Sequence, residues 1–157
     1  MGQYAVLIEA RNSLQHQLVS LAPNKDLDEG DEAACLRDIY ECCRLTALLY
    51  SNAVVFPIPT QTGWYLWFIA RLQTLHSRSD TLKKSEYNSV SIWSLYISGI
   101  AALRTKSCAF FVAALREALQ TAGLRSWPEV REVLIRFLWT DRACGYGGAM
   151  LWDKLDL

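Results

Sequence analysis

Asn88-Ser89-Val90-Ser91-Ile92-Trp93-Ser94-Leu95-Tyr96-Ile97-Ser98-Gly99-Ile100-Ala101-Ala102-Leu103 is the stretch whose reading decides the fold. Wound at 3.6 residues per turn, Ile92, Trp93, Leu95, Tyr96, Ile97 and Ile100 fall on every side of the helix. A helix that is apolar all round has to be surrounded by protein or lipid. Its serines and asparagine, and a length short of the roughly 20 residues a bilayer needs, make it the central helix of a soluble bundle. Gly99 costs about 1 kcal/mol against alanine in such a helix. The simplest return on that cost is the close approach of a neighbouring helix.

Working outward, every flanking segment also has a helical period. On the C-terminal side, Thr105 to Ala122 places Phe111, Leu115, Ala118 and Ala122 inward and ends at Gly123, a good left-handed terminator. Ser126-Trp127-Pro128-Glu129 reads as a capping box with proline in the first turn. The helix it opens carries Val130, Val133, Leu134, Phe137 and Leu138 inward, with Glu132 and Arg136 paired at i,i+4. Gly145, Gly147 and Gly148 suggest a turn before a short last helix around Met150 to Leu155. On the N-terminal side, Ser77 to Ser85 is polar enough to be an exposed linker, and Gly63 to His76 forms a helix on Trp64, Trp67, Phe68 and Leu72, capped by Thr62. Glu32 to Phe56 has one face of Leu36, Tyr40, Cys43, Ala47, Tyr50 and Val54; charges stop after Arg44, so its second half should be buried all round. Pro57 and Pro59 close it. Asn24 to Glu32 reads as a solvated acidic loop, and residues 1–22 as an amphipathic helix with a narrow seam of Leu7, Leu14, Leu18 and Leu21. No strand period persists. The expectation is an all-α, compact single-domain bundle over residues 1–157, of about six helices plus a short C-terminal one.

Composition narrows the function classes. The chain has 157 residues, 52% of them hydrophobic, enough for a real core. Sixteen basic and sixteen acidic side chains cancel, which argues against a nucleic-acid surface built on excess cations. Met1 to Ala10 lacks the basic leader and long apolar run of a secretory signal. Five cysteines (Cys35, Cys42, Cys43, Cys108, Cys144) have neither a disulfide framework nor zinc-knuckle spacing, and read as reduced, small apolar groups in a nuclear or cytoplasmic setting.

Catalytic motifs are missing: neither G-x-S-x-G nor H-E-x-x-H occurs. A Cys–His pair would need His16 or His76 to meet a thiol. Cys144-Gly145-Tyr146-Gly147-Gly148 lacks the Lys and Ser/Thr of a phosphate loop, and the acidic run from Asp26 has Arg37 where an EF-hand needs its last glutamate. No catalytic, cofactor-binding or metal-ligating residue is assigned. Two binding surfaces remain: the leucine seam for self-association or a partner protein, and an apolar pocket among Trp64, Trp67, Phe68, Trp93 and Tyr96, which at helical spacing also read as core.

Three stretches, in order, resemble the fungal-specific transcription-factor domain. They are Glu41-Cys42-Cys43-Arg44-Leu45-Thr46-Ala47-Leu48-Leu49-Tyr50; then Ser91 to Ala102 with its Gly-Ile-Ala-Ala end; then Phe111 to Leu115, Trp127 to Leu134, Phe137-Leu138-Trp139, Cys144 and Leu151-Trp152. The likeness runs over residues 33–157 and corresponds to the C-terminal portion of that domain. It implies an all-helical regulatory region that acts by protein contact and has no catalytic residues. In that family the region follows a six-cysteine zinc cluster that binds DNA. The cluster is absent here, so direct DNA binding is not expected. The leading expectation is a non-catalytic regulatory or protein-interaction module; the alternative is a small-molecule-binding protein or small enzyme of fungal secondary metabolism.

Overall fold

A computed structural model describes residues 31–52 and 63–156, together with Glu9, Ser13, His16, Gln17 and Ser20. The seam leucines Leu7, Leu14, Leu18 and Leu21, the acidic loop 24–30, and Thr62 with the prolines at 57 and 59 lie outside the described residues. The fold is all-α. Among the described residues from 31 onward six helices follow one another: α1 (Asp31–Tyr50), α2 (Gly63–Arg78), α3 (Asn88–Ala102), α4 (Cys108–Ala122), α5 (Trp127–Leu134) and α6 (Asp141–Trp152). Two single 3-10 turns, Thr81–Lys83 and Ser85–Tyr87, join α2 to α3.

The apolar run Asn88–Leu103 is the axis of the bundle. α3 packs against each of the other five helices and both 3-10 turns, and all of Ser91 to Gly99 is buried. Its serines face the helices that pack on it. Ser91 Oγ donates to the Leu82 carbonyl, and Ser94 meets side chains from α1 and α2. The second half of α1 is buried all round as its lack of charge suggests, from Leu45 to Tyr50. Its first half turns a different face inward: Ala33 and Cys42 are buried, while Leu36 is exposed and Tyr40 and Cys43 are half-buried. Cys42 wins that position by bonding to Ser94 on α3, and Glu41 with Arg44 holds the partly exposed side at 2.8 Å.

Three boundaries differ from the sequence reading. The linker 77–85 is not wholly exposed, because Ser79, Thr81 and Leu82 are buried and Thr81 Oγ1 donates to Cys35 Sγ at 2.9 Å. α4 starts at Cys108, not Thr105. The Thr105 hydroxyl instead donates to the Ala102 carbonyl at 3.0 Å and accepts the Ser107 N–H at 3.2 Å. Such local side-chain bonds offer the backbone an alternative to helix. On α4, Leu119 rather than Ala118 joins Phe111 and Leu115 in full burial, and Gly123 closes the helix at φ 71°. α5 ends at Leu134, which leaves Arg136 beyond the helix and Leu138 exposed; Arg131 pairs with Asp141 across the next turn. The capping box is present, with Glu129 Oε2 accepting the Ser126 N–H at 2.9 Å.

A further difference concerns the glycines near the C-terminus. Gly145, Gly147 and Gly148 lie inside α6, not in a turn before it. A methyl group added at Gly147 would sit 2.6 Å from Ile100 Cγ2, and one at Gly148 would sit 2.9 Å from the Trp139 indole. From the other helix, a methyl at Gly99 would sit 2.7 Å from Leu151 Cδ2. α3 and α6 thus exchange glycines and large side chains, and the Tyr96 hydroxyl donates to the Gly148 carbonyl at 2.9 Å. Around that contact the Trp127 ring meets Tyr96, Trp139 and Trp152 at 5.8, 5.9 and 5.8 Å. Arg116 of α4 donates to the carbonyls of Lys154 and Leu155 just past α6.

Two substitutions on α6 should therefore act in opposite directions. Gly145 has open space where a methyl would go. Gly145→Ala should stabilise by about 0.5–1 kcal/mol through helix propensity. Gly148→Ala should destabilise by about 1–3 kcal/mol despite the same gain, because the rigid indole must move. Urea unfolding followed by far-UV circular dichroism checks both; equal stabilisation by the two variants would refute the close-approach account.

Candidate functional site

Two constellations in the described residues bring functional groups together. The first is polar and buried. Cys42 and Thr46 lie one turn apart on α1, His76 sits near the end of α2, and Ser94 is the middle of α3. Cys42 Sγ and Thr46 Oγ1 donate to Ser94 Oγ at 3.1 and 2.8 Å. His76 Nε2 lies 2.9 Å from the same oxygen and 3.8 Å from Cys42 Sγ. A serine hydroxyl has two lone pairs and one proton. With both lone pairs taken, Ser94 gives its proton to Nε2, which places the imidazole proton on Nδ1.

A histidine has thus met a thiol, the one condition that Cys–His chemistry requires. The electrostatics point the other way. Burial pushes the Cys42 thiol up to about 12, and the weaker effect of its Ser94 bond does not offset this. Burial also pulls His76 down to about 4. Thiol and imidazole are both neutral near pH 7, whereas a nucleophilic cysteine needs its thiolate. The cluster ties α1, α2 and α3 together and satisfies four buried polar groups. Its chemistry is structural.

The second constellation is a cavity of about 740 Å³ at the other end of α3. Such a volume lies within the usual range of small-molecule sites, about 300–1,000 Å³. Ile69 of α2 and Ile97, Ile100 and Ala101 of α3 form apolar wall, and α6 contributes Cys144 and Gly147. The exposed side chains of Leu66, Tyr146 and Met150 stand at its mouth. The glycine exchange helps to shape it, since Gly147 brings the α6 backbone against Ile100. Two tyrosines supply hydroxyls. Burial pushes Tyr65 up to about 12, with no hydrogen bond to a described residue opposing it. Tyr50 is raised too, by burial first, with nearby Thr140 opposing the shift and Cys144 adding to it. The lip is the Leu103–Ser107 segment between α3 and α4, with Arg104 and Lys106 exposed on it. His76 lines a smaller cavity of about 370 Å³ with Leu95, Phe110 and Glu117.

The aromatic residues singled out in sequence do not share one pocket. Trp93 and Tyr96 are core: Trp93 stacks on Phe137 at 5.2 Å and donates to the Leu138 carbonyl, and Tyr96 packs between Trp127 and Trp139. Phe68 is buried edge-on to Trp67, whereas Trp64 and Trp67 are exposed, Trp64 by 76%. The cavity lies between these groups and is lined by none of the five. Its walls come from four helices and a loop, so no local pattern announces it. The leucine seam lies outside the described residues. Cys42 and Cys144 are buried and Cys35, Cys43 and Cys108 half-buried, all five as free thiols. Among the described residues no three His, Cys, Asp or Glu gather as a metal site, and no helix is long and apolar enough to cross a membrane.

The neutral state of His76 has a pH signature. Its folded value lies below the ordinary 6.5, so the unfolded chain binds the proton more readily. Stability should fall as pH drops from about 6.5 toward 4, by roughly 3 kcal/mol for this group. His76→Gln should flatten the stability profile between pH 7 and 5. Parallel profiles for the two proteins would exclude His76 as the source.

Comparison with protein families, with curated proteins and with solved structures finds no match for this chain.

Proposed function

We propose that the chain is a non-catalytic helical binding module whose occupant is a small, largely apolar molecule held in the cavity between α1, α2, α3 and α6. One observation carries this reading: a 740 Å³ hollow walled by isoleucines in a chain whose sole close thiol–imidazole approach among the described residues is buried and neutral. An apolar cavity of this size opening to solvent is a binding site in waiting, since filling it removes apolar surface from water. The resemblance to the C-terminal portion of the fungal transcription-factor domain supports the non-catalytic, regulatory part of this reading, through protein contact. In such a regulatory region, in the nucleus or cytoplasm, ligand occupancy would be read out as altered contact with a partner protein.

A thermal-shift titration with a panel of apolar compounds tests the reading. A true ligand at a hundredfold excess over its Kd stabilises by about 2.7 kcal/mol. For a chain of this size that raises Tm by about 5–10 °C. Ala143 lines the cavity from the exposed side of α6, so Ala143→Trp should fill the space without disturbing the core and abolish the shift. A shift that survives Ala143→Trp, or its absence across the panel, would refute the proposal.

A second reading, protein contact through α2, is favoured by the exposure of Trp64, Leu66 and Trp67 on one helix. Exposed tryptophans are common anchors of interfaces. Its occupant is a second copy of this chain. Sedimentation should then show a concentration-dependent dimer that Trp64→Ser with Trp67→Ser dissociates, and a monomer at all concentrations would dismiss it.

A further inference from the structure

The cavity is not uniformly apolar, and its polar groups are arranged at one end and one depth. Arg104 and Lys106 stand on the lip, two residues apart in the turn that Thr105 organises. No acidic side chain is among the described residues that line the cavity, and neither cation joins an ion pair among the described residues. Arg44, Arg78, Lys83, Arg116 and Arg131 each have a carboxylate partner, whereas Arg104 and Lys106, like Arg71 and Arg142, have none among the described residues; what distinguishes the two is their place at the cavity. The first turn of α4, which follows the lip, carries no acid either. Inside, Tyr65 is only 4% exposed and lines the wall, and its hydroxyl has no hydrogen-bond partner among the described residues. That hydroxyl is therefore available as a donor or acceptor to a polar atom entering the cavity.

We infer that the cavity is selective for an amphipathic anion: an apolar body against Ile69, Ile97 and Ile100, with a carboxylate head at Arg104 and Lys106. This rests on the cavity-binding proposal and adds the chemical class of the ligand. The head stays at the solvent edge, where an ionised group keeps part of its hydration, while charge-assisted bonds to the two cations hold it. The body displaces water from the isoleucine wall. An ester or hydroxyl midway along the body would meet Tyr65.

Calorimetric titration with decanoate and with decanol, two probes that differ only at the head, tests the inference. Decanoate should bind about tenfold or more tightly than decanol. The preference should shrink in 0.5 M salt, since exposed cations are screened. The exposed pair Arg104→Gln with Lys106→Gln should bring decanoate down to the decanol affinity and leave decanol unchanged. Far-UV circular dichroism checks that the double variant retains its helices, and the salt series on the unaltered protein gives the same answer without a variant. Equal affinity for the two probes would overturn the anionic head and leave the apolar cavity standing. A preference that survives both high salt and the double variant would overturn the role of Arg104 and Lys106. Binding of neither probe would overturn the selectivity and the cavity proposal together.

Discussion

The interlock of α3 with α6 sets the position of everything else in the bundle. Each helix gives up a side chain where the other presents a large one: Gly99 faces Leu151 and Gly147 faces Ile100, while Gly148 faces the Trp139 indole from the segment just before α6. Helices this close exclude water from the intervening backbone, and the Gly148 carbonyl is further fixed by the Tyr96 hydroxyl. Moving α6 outward by the width of a methyl group would loosen the Trp127 ring contacts and the Arg116 clasp on the chain end at the same time. Three glycines in a twelve-residue helix cost helix propensity, and the packing permitted by two of them, Gly147 and Gly148, offsets it.

At the opposite side of α3, the same helix solves a different problem. Burying a histidine and two hydroxyls beside a thiol would be costly if any were left without a partner. Ser94 prevents that by serving as the common junction of three bonds from two other helices. Polar networks of this kind specify one arrangement of the helices, because a rotated α1 or α2 would strand their buried groups. The closeness of Cys42 to His76 follows from this packing, and two neutral groups do not make an activated nucleophile.

Much of this was legible in the sequence, and the failures have physical causes. The all-round apolarity of Asn88–Leu103, the uncharged second half of α1, Gly123 and the Ser126 box are local signals, and each stands in the structure as read. Gly145, Gly147 and Gly148 read as a turn because glycine is a poor helix former, and the close approaches that favour glycine at 147 and 148, to Ile100 and to the Trp139 indole, are set by packing and not by local sequence. Leu36 fits an inward periodicity yet is exposed, because the bond from Cys42 to Ser94 rotates α1. The cavity was invisible for the same reason: Tyr50, Ile97 and Tyr146 are far apart in the chain, while the conspicuous tryptophans Trp64 and Trp93 went to the surface and the core.

The turn that Thr105 builds has a role in both halves of this description. It ends the central helix through the Ala102 carbonyl, and it carries the cationic lip of the cavity. A molecule lodged there would add its binding free energy to the folding of that one segment. Occupancy and bundle integrity are then linked thermodynamically: a molecule that binds only the folded bundle would keep that bundle folded longer. Such a protein would measure its ligand by how long it stays whole.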